Sequence, residues 1–64
     1  MKITYTNIFL VKPKTICNVK SIVFQGDVIY IKSKQEDEFV IDIYNTKQPL
    51  LIEDEDNIDE IYPN

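Results

Sequence analysis

The 64-residue chain contains no histidine, arginine, tryptophan or alanine, and it carries one cysteine, one glycine and one methionine. Each gap removes a class of chemistry. Without histidine there is no base for a nucleophile, so Ser21, Ser33 and Cys17 cannot enter a Ser/His/Asp or Cys/His arrangement. A lone Cys17 forms no disulfide within the chain, suits a reducing compartment, and is expected as a small buried hydrophobe. With one thiol, no imidazole and no D-x-[DN]-x-[DN]-G loop, the zinc and calcium spacings are missing and no cofactor is implied. The single glycine, in "QGD", does not make a phosphate-cradling loop, which needs several glycines together with a lysine and a hydroxyl residue.

No apolar run approaches the roughly 18 residues of a membrane helix. The opening "MKITYTNIFLVKPK" lacks a small-residue cleavage site and reads as a strand, so no membrane is expected among the partners and the cytoplasm is the expected compartment. Isoleucine, lysine, asparagine and tyrosine are abundant, a bias that fits AT-rich coding in low-GC bacteria and their phages. The nearest approach to a catalytic pair is Asp42 with Glu36 or Asp37, but a sheet of this size offers little concave volume in which to desolvate a carboxyl group. No catalytic residue is assigned, and the chain is not expected to be an enzyme.

What is present points to sheet. Eleven isoleucines, five valines and four threonines make β-branched residues nearly a third of the chain. In "SIVFQGDVIYI" the pair Gly26-Asp27 separates two β-rich runs, the signal of a two-residue hairpin. Phe24 then lies opposite Ile29 and Ile22 opposite Ile31 on one face, with Val23 and Tyr30 on the other. "EFVIDIYN" alternates again, and a turn at "SKQED" would match Phe39 and Ile41 to the same apolar face. Before this meander, "KITYTNIFLV" is apolar on both sides from Ile8 to Val11, implying a strand covered twice and closed by Pro13. After it, residues 45–49 read as a turn and "LLIE" as a short strand. At the end, Asn57 and Glu60 resemble a capping box, and Ile58, Ile61 and Tyr62 fall at i, i+3 and i+4, which predicts one helical turn before Pro63. Tyr5, Tyr30 and Tyr44 are expected half-buried within strands.

The fold class predicted is therefore all-β: a small curled antiparallel meander of four or five strands, SH3-like or a half-barrel, in residues 1–53, with an acidic C-terminal appendage over residues 54–64. Such a chain buries only about 60% of its unfolded surface, so an efficient core or self-association must support it.

Charge is divided along the chain. Residues 1–34 carry six lysines and one acid, whereas residues 35–64 carry ten acids and one lysine. Six of the eight positions from Glu53 to Glu60 are carboxylates. If extended, they would span roughly 26 Å with about one charge per 4.4 Å, near the density of a single DNA strand. The expected function is non-catalytic binding of another protein, most concretely by a phage or mobile-element inhibitor that occupies a basic, nucleic-acid-binding site on a host protein. The residues expected to carry it are Glu53, Asp54, Glu55, Asp56, Asp59 and Glu60, aided by Glu36, Asp37 and Glu38, with Ile58, Ile61 and Tyr62 as an apolar docking element. Two alternatives stand beside it. One is a structural homo-oligomer that pairs its basic and acidic halves between subunits. The other is a small β-barrel that binds nucleic acid through Lys12, Lys14, Lys20, Lys32 and Lys34 beside Tyr30 or Phe24, a reading disfavoured by the absence of arginine and the isoelectric point near 4.5.

Overall fold

The computed structural model describes residues 1–62. Pro63, expected to end the terminal helical turn, lies outside the described residues. Seven strands follow in chain order: β1 (Lys2–Asn7), β2 (Lys14–Ile16), β3 (Val19–Gln25), β4 (Val28–Ser33), β5 (Glu38–Asp42), β6 (Thr46–Asp54) and β7 (Asn57–Ile61). They form two antiparallel sheets, one ordered β2-β1-β6-β7 and the other β3-β4-β5. No helix occurs among the described residues.

The meander has the pairing the alternation predicts. Gly26 takes a left-handed φ of 59° in the tight turn, where a side chain would be unfavourable. Phe24 faces Ile29 and Ile22 faces Ile31, while Ile41 and Phe39 complete the two rows from β5. The "SKQED" turn is held by Ser33, whose buried Oγ accepts the N–H groups of Gln35 and Asp37 at 3.2 and 3.1 Å.

Two sheets become one curled body at Asn18. Its φ of 55° turns the chain from β2 into β3, a conformation asparagine tolerates better than most residues. The corner is fastened to both sheets, since the Val19 N–H donates to the Met1 carbonyl and the Lys34 N–H to the Asn18 carbonyl, each at 2.8 Å. Between the sheets lie Ile3, Ile16 and Leu50 from the first and Val19, Ile29, Ile31 and Ile41 from the second, all buried. The core is wholly aliphatic, and Tyr5, Ile22, Phe39, Ile43, Ile52 and Ile61 pack around it.

Several expectations are corrected. β1 stops at Asn7, because the Asn7 Oδ1 accepts the Phe9 N–H at 2.8 Å and diverts the backbone into a turn. Ile8, Phe9 and Val11 are therefore exposed loop residues and not a doubly covered strand. β6 is nine residues long, so most of the segment read as a turn belongs to it. Pro49 is tolerated in this interior strand because it lies where the register against β1 shifts between Thr4 and Thr6. The preceding Gln48–Pro49 peptide is cis. The expected helical turn is strand β7. Asn57 sits opposite Asp54 across a two-residue loop and caps no helix. Cys17 is exposed at the β2–β3 corner, and Tyr44 projects from the β5–β6 loop at 84% exposure. With β2 and β7 included, the strands among the described residues number seven and not four or five.

Candidate protein-binding site

The carboxylates of the C-terminal run are displayed on a hairpin. Leu51 faces Glu60, Ile52 faces Asp59, Glu53 faces Ile58 and Asp54 faces Asn57, with Glu55 and Asp56 forming the loop. Among the described residues β7 pairs only with β6, so it is an edge of the first sheet. Residues 54–61 thus extend that sheet and share its ladder.

The pleat divides the apolar triplet. Ile61 stands opposite the fully buried Leu50 and packs on the core, while Ile58 and Tyr62 are 62% and 58% exposed on the other face. On that outer face they share a surface with Glu53, Glu60 and the half-buried Leu51. The Tyr62 hydroxyl donates to Glu60 Oε2 at 3.1 Å. That bond and the nearby negative charge push the phenol above its usual range.

The acids differ in what opposes them. Lys2 Nζ lies 3.2 Å from Glu53 Oε2, a partly exposed pair worth about 0–1 kcal/mol. Glu36 is held by Lys20 Nζ at 3.0 Å and Lys32 Nζ at 3.1 Å, and these two lysine hydrogen bonds keep its carboxyl below the ordinary range. Glu38 faces Lys32 across the β4–β5 ladder. Counted with Lys34 in the same turn, Lys20, Lys32 and Lys34 equal the formal charge of Glu36, Asp37 and Glu38, and among the described residues the ion pairs go to Glu36. Among the described residues, no lysine forms an ion pair with Asp54, Glu55, Asp56, Asp59 or Glu60.

The Glu36 turn and the acidic hairpin both adjoin the Cys17–Asn18 corner, the turn through the Lys34 N–H to Asn18 carbonyl bond and the hairpin across a shared concavity. Met1, Lys2, Cys17, Asn18, Glu53 and Glu55 line a shallow concavity of about 270 Å³ between hairpin and corner. At the opposite end, Asp27, Ile43, Tyr44 and Thr46 line a second of about 300 Å³. Among the described residues, no three carboxylate or thiol groups converge on a point that a metal ion could occupy.

Folding raises the charge density above that of the extended chain. The four ladder pairs and the loop cover roughly 14 Å of hairpin axis at about 3.4 Å per residue, so the six carboxylates fall at about one per 2.3 Å. Setting aside Glu53, which Lys2 holds, the spacing is about 2.8 Å, against about 1.7 Å per charge in duplex DNA and 3.4 Å in one strand. The charges also surround the hairpin, with Asp54 and Asp59 on one face, Glu60 on the other and Glu55 and Asp56 at the tip.

Comparison with known proteins finds no matching family model, no matching curated protein and no matching solved structure. Function is therefore argued from the site alone.

Proposed function

We propose that this chain is a non-catalytic protein-binding module that presents its β6–β7 hairpin to a basic surface of another protein. In its most concrete form it is a small cytoplasmic inhibitor, of phage or mobile-element type, that occupies a nucleic-acid-binding site. One observation carries the reading: five exposed carboxylates are held on an ordered hairpin at a spacing between those of single- and double-stranded DNA, with no lysine of the chain paired to them among the described residues. Such a field attracts a cationic groove over a distance of about one Debye length and speeds encounter. Ile58, Leu51 and Tyr62 supply an apolar strip beside the charges, and tyrosine is a residue type enriched where interfaces concentrate their energy.

The charge-paired homo-oligomer receives less support. Lys2, Lys20 and Lys32 are already paired within the chain, leaving Lys12, Lys14, Lys34 and Lys47 for another subunit. The nucleic-acid reading is weakened in the same way, because Lys20 and Lys32 are taken by Glu36.

Capture from a low-GC bacterial lysate tests the proposal. Immobilised protein should retain a basic nucleic-acid-binding protein that added duplex DNA releases. A variant with Asp54→Asn, Glu55→Gln, Asp56→Asn, Asp59→Asn and Glu60→Gln should retain none of it. Equal capture by both forms, or a captured protein indifferent to DNA, would count against the reading.

A further inference from the structure

The four edge strands of the two sheets are not equally protected. Exposed strand edges offer unpaired backbone groups to other chains, and charged side chains are the usual guard. β2 is three residues long and begins with Lys14. β7 carries Asp59 and Glu60, and β5 begins with Glu38 and ends with Asp42. β3 differs, since from Ser21 to Gln25 its sequence is S-I-V-F-Q, without a charge. Val23 is 50% exposed on its outer face, and Phe24 is 46% exposed although it lies on the core-facing side. Phe24 is uncovered because, among the described residues, no strand pairs beyond this edge.

We infer that β3 is the self-association edge of this protein, joining two copies by antiparallel pairing about Val23. The backbone allows it. Counting the antiparallel alternation from the two-residue loop, Gln25, Val23 and Ser21 exchange hydrogen bonds with β4, which leaves the N–H and C=O groups of Ile22 and Phe24 pointing away from the sheet. A two-fold axis through Val23 sets Ile22 against Phe24 of the second copy and Phe24 against its Ile22. Each pair exchanges two backbone hydrogen bonds, and the closed two-fold contact leaves no further copy to add.

Side chains match in the same register. On the core-facing side Phe24 meets Ile22 of the second copy; on the outer side Val23 meets Val23, and Ser21 meets Gln25. Val23, Tyr30 and Val40 already form one cross-strand row. Pairing would continue it into the second copy as a single apolar band across six strands. The Lys20 bulge, where the register shifts between Val19 and Ser21, ends the ladder on one side and the Gly26 turn ends it on the other. The other edges lack this self-match. Two-fold pairing of β5 about Val40 would set Glu38 against Asp42, and pairing of β7 about Asp59 would place that carboxylate against itself.

A charge-free contact predicts an association that salt does not weaken, unlike the charge-paired oligomer considered from the sequence. Sedimentation equilibrium across a concentration series at low and high salt, read together with amide hydrogen exchange, tests it. The mass should rise with concentration toward twice the 7.5 kDa of the chain, equally at both salts. Over the same series the Ile22 and Phe24 amides should pass from fast to slow exchange, while the Val23 amide, bonded to β4, stays slow throughout. Val23→Lys should abolish the mass increase and the Ile22 and Phe24 protection, whereas Val40→Lys, on the same face at the other edge, should preserve both. Thermal unfolding of each variant under dilute conditions establishes that it is folded. A monomer at every concentration, a dimer that salt dissociates, or Ile22 and Phe24 amides whose exchange ignores concentration would overturn the inference, and the exchange result stands on the unmodified chain.

Discussion

Among the described residues, three other than glycine adopt a left-handed backbone: Asn18, Glu36 and Glu55, at φ of 55°, 69° and 55°. Asparagine accepts this readily, but for a glutamate it costs on the order of 1–2 kcal/mol. Glu36 gains two lysine contacts in return. Glu55 has no ion pair among the described residues, so its carboxylate at the hairpin tip is a local cost of the kind that marks a functional position. Replacing Glu55 with glycine is expected to stabilise the fold by about 1 kcal/mol, raising the thermal midpoint by roughly 4–8 °C in a domain this small, while weakening partner binding. A melting curve and a binding titration on the same variant check the two halves of that statement. For Glu36 the sign is fixed by its lysines: a carboxyl lowered in the folded state adds stability above the unfolded value of about 4.3, and that contribution is lost as pH falls through the folded value. An NMR titration of the Glu36 carboxyl should therefore show a depressed midpoint that returns toward the ordinary one when Lys20 and Lys32 are both replaced by methionine. Both groups are exposed, so added salt should shrink the shift as well.

At the scale of elements, the two hairpins show what local sequence can and cannot carry. The β3–β4 pairing was readable because Gly26 can adopt the turn backbone freely and the flanking alternation fixes the faces. The β6–β7 hairpin has Glu55-Asp56 in the equivalent place, with no glycine to signal a turn. Its second strand is five residues long, too short to separate a period of two from a period of 3.6, and Asn57 with Glu60 fits a helix cap as well as a strand. The strand assignment makes a distinct prediction. Ile61→Ala should cost about 1–3 kcal/mol by denaturant unfolding, because Ile61 packs on the core opposite Leu50, whereas Ile58→Ala should stay within about 0.5 kcal/mol. A helical turn docked by both side chains would penalise the two substitutions alike. Ser33 gives a second test of local structure. Ser33→Ala removes the oxygen that accepts two backbone N–H groups and should destabilise by about 1–3 kcal/mol through the β4–β5 turn, measured in the same way.

For the whole molecule, the sequence divides charge along the chain, and the fold reshapes that division. The first 34 residues are basic, yet Lys20 and Lys32 fold onto Glu36 and Lys2 onto Glu53, so much of the apparent dipole is neutralised internally. The identity of the acidic residues was legible, because carboxylates are counted directly. Their grouping was not, because Lys20, 16 residues from Glu36 in sequence, reaches it through the β3–β4 pairing, while Lys32 meets it from four residues away. What remains is a compact body, 26 × 23 × 22 Å, with one uncompensated acidic hairpin and one uncharged strand edge. The central claim is that this hairpin is the surface a basic partner reads. It is tested most directly by the affinity of the captured partner, measured by titration calorimetry at low salt, for the natural chain and for the folded variant with Asp54, Glu55, Asp56, Asp59 and Glu60 neutralised. The account predicts at least about a tenfold loss, or roughly 1.4 kcal/mol, together with a shallower dependence on salt. Equal affinities with equal salt dependence would contradict it.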